Sequence, residues 1–345
     1  MTTWKDEREF IRFLQRLRFT DISGVTGIGD DTAVLPGTNR NLLFTTDMMI
    51  EEIHFSRKTC APEWLGHKLL ARSVSDIAAM GGAPQSFVVS LGVPPGLPGD
   101  FVPRFYRGLK RAQKKFGAQL VGGDLSRSPD VLFSSLALLG CSAQYPVLRK
   151  GARLNDSIWL TGPLGMSSAA LQALRSRRAT VNVKKAAFAF SSRRADARRS
   201  LRRLMEAHFL PSPPWKTAQW LSATRVATAM IDISDGLSLD LHRLCEASRV
   251  GAVIRAEAIP VAPEVVEWSE DPLRCALYGG EDYELLFTAP ETADARLGAR
   301  SPIKLYRIGR IVSSRSGALL ETSGKLKPLP PGGFDHFRNM ARRER

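Results

Sequence analysis

Five acidic clusters punctuate this chain, each where a strand or helix meets a glycine or a turn. They are Gly29-Asp30-Asp31, Thr45-Thr46-Asp47, Ser75-Asp76, Gly123-Asp124 and Asp232-Ile233-Ser234-Asp235-Gly236. Taken singly, Asp beside Gly is ordinary turn chemistry, and a Ser/Thr-Asp pair is an ordinary helix cap. Asp76 resists that account, because it falls inside an otherwise apolar helical stretch, where an unpartnered carboxylate is costly to bury. Carboxylates that converge on one site repel one another unless cations neutralise them. Oxygen ligands of this kind suit Mg²⁺, which is commonly held by a few carboxylates and by phosphate oxygens. The flanking glycines let backbone N–H groups come close to phosphate. The chemistry implied is metal-assisted handling of nucleotide phosphate, on an uncommon scaffold. The chain has no G-x-x-x-x-G-K-[ST], no H-R-D or D-F-G set, and no G-x-G-x-x-G after a strand.

Alternating strands and helices must position these clusters. Asn41 to Thr46 reads as a short strand ending in the second cluster, and Glu63 to Met80 as a helix with Leu65, Leu69, Val74 and Ile77 at helical spacing, stopped by Gly81-Gly82. Ser86 to Val93 is a buried strand, Pro103 to Phe116 a basic-faced helix, Gln119 to Val121 a strand running into Gly122-Gly123-Asp124, and Val131 to Cys141 another strand. Polar Arg149 to Asp156 breaks the pattern, so a boundary near residue 148 divides the chain into domains 1–148 and 149–345. In the second half, a strand at Thr228 to Ile233 and a helix at Leu237 to Ala247 flank the fifth cluster, with strands near Ala252 and Leu285. Both halves mix strands with amphipathic helices, which predicts an α/β (α+β) fold.

The ordered motif set resembles the thiamine-monophosphate kinase family, within the superfamily that includes aminoimidazole ribonucleotide synthetase. The likeness rests on Gly27-Ile28-Gly29-Asp30-Asp31-Thr32-Ala33-Val34-Leu35, Thr45-Thr46-Asp47-Met48, Ile53-His54-Phe55, Ser75-Asp76-Ile77-Ala78-Ala79-Met80-Gly81, Gly122-Gly123-Asp124, Asp232-Ile233-Ser234-Asp235-Gly236-Leu237, Gly279-Gly280-Glu281-Asp282-Tyr283-Glu284-Leu285 and Phe334-Asp335-His336-Phe337. It runs from about residue 25 to 337, and GGEDYEL with the terminal FDHF is its most diagnostic part. The resemblance implies a two-domain aminoimidazole ribonucleotide synthetase-like fold. Residues 1–148 would serve ATP and Mg²⁺ binding and dimerisation, their strands forming a barrel across a homodimer. It implies ATP as co-substrate, several Mg²⁺ ions, and transfer of the γ-phosphate to thiamine monophosphate, giving thiamine diphosphate. By motif match, Asp31, Thr45, Thr46, Asp47, Asp76, Asp124, Asp232 and Asp235 would be metal ligands. Gly123, Asp124, Arg149 and Ser234 would contact ATP, and His54, Glu281 and Phe334 the thiamine moiety. The acceptor is already an ionised phosphate, so direct in-line transfer needs cations between two anions rather than a catalytic base.

Departures and rivals bound this reading. The family usually has an arginine before and after a Pro-x-Pro segment; Leu210-Pro211-Ser212-Pro213-Pro214 has neither. A ligase related to aminoimidazole ribonucleotide synthetase is the alternative inside the superfamily. Selenophosphate synthetase would want a reactive Cys in an N-terminal loop, and no Cys precedes Cys60; the related hydrogenase maturation factor would want a C-terminal Cys, and the sequence ends in Arg345. The net charge of +15 raises nucleic-acid binding as a different class. That excess is concentrated between Arg175 and Arg203 and in the four arginines of 338–345, without aromatics alternating with arginine as base stacking would require, and it reads as solvated charge. The four widely spaced cysteines offer no CxxC pair, and no stretch of about 18 apolar residues could span a bilayer. The charged, amphipathic start reads as a first helix rather than a secretory signal, and a reducing cytoplasm is the expected location.

Overall fold

The computed structural model describes Glu9, Arg12 and residues 30–35, 41–142 and 145–337. The expected first helix lies outside that set, apart from helical Glu9 and Arg12; so do Gly27, Ile28 and Gly29 and the four arginines of 338–345. The first half comprises β1 (Ala33–Leu35), β2 (Leu42–Ile50), α1 (Pro62–Ala79), β3 (Gly82–Val93), α2 (Phe101–Phe116), β4 (Gln119–Arg127) and β5 (Phe133–Ser142). Its five strands form one sheet in the order β1-β2-β5-β3-β4, antiparallel except for the β3-β4 pair. Among the described residues of this one chain the sheet is open, with β4 as an edge, and it closes no barrel.

Helices α1 and α2 cover one face of that sheet. Two glycines let them meet backbone to backbone: a Cβ on Gly108 would lie 1.8 Å from the Glu63 carbonyl oxygen, and one on Gly66 would lie 2.2 Å from that of Phe105. No helix among the described residues covers the other face, which carries exposed Phe44, Met48 and Val88, with Val121 and Leu125 exposed on β4.

The second half holds a seven-stranded sheet in the order β14-β13-β10-β12-β6-β11-β9. Its elements are β6 (Ser157–Leu160), α3 (Met166–Arg175), the hairpin β7 (Ala179–Asn182) and β8 (Ala187–Phe190), α4 (Ala195–Phe209), α5 (Trp215–Ala223), β9 (Ala229–Ile233) and α6 (Leu237–Ser248). They continue with β10 (Gly251–Arg255), α7 (Pro263–Trp268), α8 (Pro272–Tyr278), β11 (Glu284–Ala289), α9 (Asp294–Arg300), β12 (Tyr306–Val312), β13 (Ala318–Thr322) and β14 (Lys325–Pro328).

The two-domain α/β architecture agrees with expectation, and most boundaries fall within a few residues of it. Two regions differ. β4 does not stop at Val121 but runs through Gly122-Gly123-Asp124 to Arg127, because its parallel pairing with β3 carries the glycines along. The basic stretch is not simply a solvated face. Its hairpin packs Phe188 on Trp64 (ring centroids 4.5 Å apart) and on Phe209, and Arg104 of α2 donates to the Val183 carbonyl at 2.7 Å. Apolar residues between the arginines thus pin the second half to the first. Helix α1 is the other link: it lies against β2 and β5 on one side and against α5, β9 and β11 on the other.

Candidate active site

Where α1 passes between the two sheets, three of the acidic motifs converge. Asp31, Asp76 and Asp232 each place a carboxylate oxygen within 4.8 Å of the other two. Asp76 accepts from Thr45 Oγ1 at 2.6 Å, and Asp232 from Ser75 Oγ at 2.7 Å. Asp31 is gripped by both arms of Arg149, at 2.8 Å each, and the Arg149 backbone N–H reaches Asp30. Asp47 lies beside them, accepting from Ser73 Oγ at 2.8 Å, with Arg72 Nε 3.4 Å away. Burial, then the charges of Asp47, Asp232 and Asp31, push the Asp76 carboxyl well above its ordinary value. Burial and Asp31 do the same to Asp232, and burial with Asp31 lifts Asp30 to about 7. Asp235 stands nearby on the loop after β9, clamped by Arg243 at 2.5 Å; Arg243 also holds Asp240, which caps the backbone N–H groups of Asp235 and Gly236.

A cavity of about 520 Å³ opens from this acidic end. Asp47, Asp76, Asp232, Ser234 and Asp235 line one part, and His54, Glu281, Tyr283, Phe334 and His336 line another. The GGEDYEL loop reaches it in a strained form, with φ of +67° at Glu281 and +54° at Tyr283, held by backbone bonds from both residues to Ser234 and Ile233. Glu281 accepts from Lys68 Nζ at 2.8 Å, and His208 Nδ1 is 3.5 Å away. Burial alone would raise this carboxyl, but Lys68, His208 and Arg72 outweigh it and hold it down at about 2. His54 is driven to about 4, chiefly by burial and then by Arg72 and His336, so its ring is neutral at pH 7. Its Nδ1 accepts the Ile50 N–H at 3.1 Å, which leaves the proton on Nε2 as a donor. Phe334 is fixed through its N–H to the Asp235 carbonyl and meets the His336 ring edge-on at 4.8 Å.

The single chain does not gather every expected residue. Register across the sheet places Met48, Ser135, Ser90 and Asp124 in one row, and Asp47, Leu136, Val89 and Gly123 in the next. Side chains alternate faces along a strand. Asp47 therefore points to α1, while Thr46 and Asp124 point to the uncovered face, where Thr46 Oγ1 lies 3.4 Å from Ser135 Oγ. Strand spacing also sets Gly123 roughly 14 Å across the sheet from Asp47. Thr46, Gly123 and Asp124 are thus absent from the cavity lining in one chain. In the other direction, the motifs failed to flag Lys68, Arg72, Ser73 and Arg243. A signal did exist for two of them: Lys68, Arg72 and Asp76 recur every four residues and so share one face of α1.

Fold and cavity define a two-domain protein of the AIR synthase class. Residues 29–141 match the family described as AIR synthase related protein, N-terminal domain, and residues 154–320 match its C-terminal domain. Within that class, the chain belongs to the thiamine-monophosphate kinase family. It is 33% identical to the thiamine-monophosphate kinase of Aquifex aeolicus over 314 residues, covering 90% of this chain and 92% of that protein. It is 34% identical to that of Synechococcus elongatus over 321 residues, covering 90% and 91%. The solved chain of AaThiL complexed with AMPPCP and TMP superimposes with a TM-score of 0.80 at 31% identity, covering 96% of this chain and 97% of that one. No helix among the described residues is long and apolar enough to cross a membrane.

Proposed function

We propose that this chain transfers the γ-phosphate of ATP to thiamine monophosphate, giving ADP and thiamine diphosphate. The observation that carries the reading is a single cavity with a carboxylate cluster at one end and Glu281, His54 and Phe334 at the other. Such a cavity can hold a ring system while presenting its phosphate to a second phosphate. Membership of the kinase family and the likeness to the complex with AMPPCP and TMP support it.

The donor set at the acidic end fits Mg²⁺. It offers hard oxygens within reach of one another, and of the three converging carboxylates only Asp31 has an ion pair among the described residues. Asp31, Thr45, Asp47, Asp76, Asp232 and Asp235 would hold the metal, which when bound supplies positive charge between two phosphate anions. The protein's own groups do the rest. Arg149 and Ser234 face the nucleotide, and the strained Glu281 loop, neutral His54 and Phe334 orient the ring end. The attacking oxygen is already ionised, so positioning suffices for direct in-line transfer without a base.

Thr46, Gly123 and Asp124 keep their roles in this reading through a homodimer. The uncovered apolar face of the first sheet would pair with its counterpart in a second copy, closing the barrel there and bringing the Gly-Gly-Asp edge to the nucleotide. The boundary near residue 148 belongs to the same proposal, as does a cytoplasmic setting, which suits four buried, unpaired cysteines. ADP release measured side by side with thiamine monophosphate, thiamine and formylglycinamidine ribonucleotide tests the function. Release should require thiamine monophosphate. Comparable turnover with thiamine would remove the acceptor assignment, and turnover with the nucleotide alone would establish the ligase alternative.

A further inference from the structure

Arg72 has no role in the reading above, yet its guanidinium lines the cavity and is largely enclosed, with 18% of the side chain exposed. A guanidinium carries five N–H donors in a fixed fork. Among the described residues those of Arg72 make no hydrogen bond; the nearest anion is Asp47, with Nε 3.4 Å from Oδ1. Its neighbours at the site are better matched. Lys68 is bonded to Glu281 at 2.8 Å, Arg149 grips Asp31 with two arms, and Arg243 is bonded to Asp235 and Asp240. Its donors stand at the wall of the cavity without a fixed protein acceptor, and a carboxylate or phosphate is what the fork fits best.

Its place along α1 says which anion. Lys68, Arg72 and Asp76 stand on one face of the helix, four residues apart. At 1.5 Å rise per residue the steps are about 6 Å each. Lys68 marks the ring end through Glu281, and Asp76 marks the end where the carboxylates converge. A phosphate ester bound with its ring at Glu281 and its reacting oxygen toward Asp76 brings its phosphorus level with the middle position. A cation taken up by Asp47 would also withdraw the nearest counter-charge of Arg72, leaving the fork in need of an anion.

We propose that Arg72 binds the acceptor's phosphate and is the residue by which the site prefers the phosphorylated substrate over the free alcohol. This rests on the kinase reading, and the test separates the two. Binding of thiamine monophosphate and of thiamine is measured by calorimetry on the full chain without ATP, at fixed Mg²⁺, for wild type, Arg72→Lys and Arg72→Gln, with thermal melts confirming that each is folded. Charge-assisted hydrogen bonds of this kind correspond to roughly 10- to 150-fold in affinity. Arg72→Gln should weaken thiamine monophosphate by that range and leave thiamine within about twofold. Arg72→Lys should fall between, because it keeps the charge and loses the fork. In turnover, KM for thiamine monophosphate should rise while KM for ATP stays within about twofold. Equal weakening of both ligands, or a raised Mg²⁺ requirement with unchanged affinity for thiamine monophosphate, would overturn the assignment and make Arg72 a counter-ion of Asp47. A wild-type protein that binds neither ligand would instead remove the acceptor reading on which the proposal stands. Should Arg72→Gln fail to fold, Arg72→Lys decides alone: an unchanged preference for the phosphorylated ligand overturns the proposal.

Discussion

Glu281 and Asp76 are deep-set carboxylates on one cavity, driven in opposite directions. Burial pushes both upward. Around Glu281 the pull of Lys68, His208 and Arg72 wins and leaves the group ionised near 2; around Asp76 the further neighbours that count are Asp47, Asp232 and Asp31, and the group climbs. Desolvation is common to the two, so the sign of the neighbouring charge decides. The end at Glu281 is therefore balanced by the protein's own cations, whereas the carboxylates around Asp76 repel one another. That division suits a kinase. In the proposed reaction, recognition of the organic moiety would use a preformed surface, while the charge that brings two phosphates together would arrive with the nucleotide and its metal.

The sharpest break in the comparison is Asp76→Asn. Asn keeps the shape and removes the charge, so turnover at saturating Mg²⁺ should fall by about 10³-fold. Stability of the metal-free protein should hold or improve. A carboxyl whose folded pKa is raised above its ordinary value of 3.8 costs stability as pH rises past that value. The gain in melting temperature from Asp76→Asn should thus be absent near pH 4 and present at pH 8. Near-normal turnover in this variant would mean that the acidic end is not where the chemistry happens.

Lys68→Met should do the opposite at the other end. It strands a carboxylate, and the loss should be on the order of 3 kcal/mol at pH 7. The folded pKa of Glu281 is depressed from 4.5 to about 2, so its contribution is present above pH 4.5 and lost as pH falls toward 2. The difference between wild type and variant should shrink over that window in a pH series of denaturant melts. A gap that does not change with pH would show that Lys68 acts by packing rather than by charge.

The smallest effect is expected outside the cavity. Arg198 and Arg199 are exposed on α4. Replacing both with Ser should leave each kinetic constant within about twofold at physiological salt, where the Debye length is about 8 Å. A large rise in KM for either substrate would show that the basic helix belongs to the site, and the contrast between the two ends would need a third member.

Much of this was legible in the chain. The helical spacing through Leu65, Leu69 and Val74 marked α1, and three of the acidic clusters, those of Asp47, Asp76 and Asp232 to Asp235, marked segments that line the cavity. Asp76 was conspicuous as a charge in an apolar helix, for the reason the structure makes plain: it faces other carboxylates across the junction of two sheets. Lys68 and Arg72 were missed although they sit on the same face, since a cation on a helix ordinarily reads as solvated. The hairpin at 179–190 was hidden by the arginines on either side of it; what identifies it is the stacking of Phe188 on Trp64, more than a hundred residues away in sequence.

Side-chain types, with the glycines and turns beside them, are enough to nominate candidates for holding metal and phosphate. The sequence by itself also determined the alternation of elements that carries them. Which carboxylates meet is set by long-range packing. Asp31, Asp76 and Asp232 come from three separate parts of the chain and share a site because α1 is wedged between two sheets. Thr46 lies between two site residues and yet turns away, and Asp124 sits in an equally promising motif on the edge strand and faces outward with it. A strand sends neighbouring side chains to opposite faces, and the covered face is fixed by the packing of a helix far along the chain, not by the motif itself.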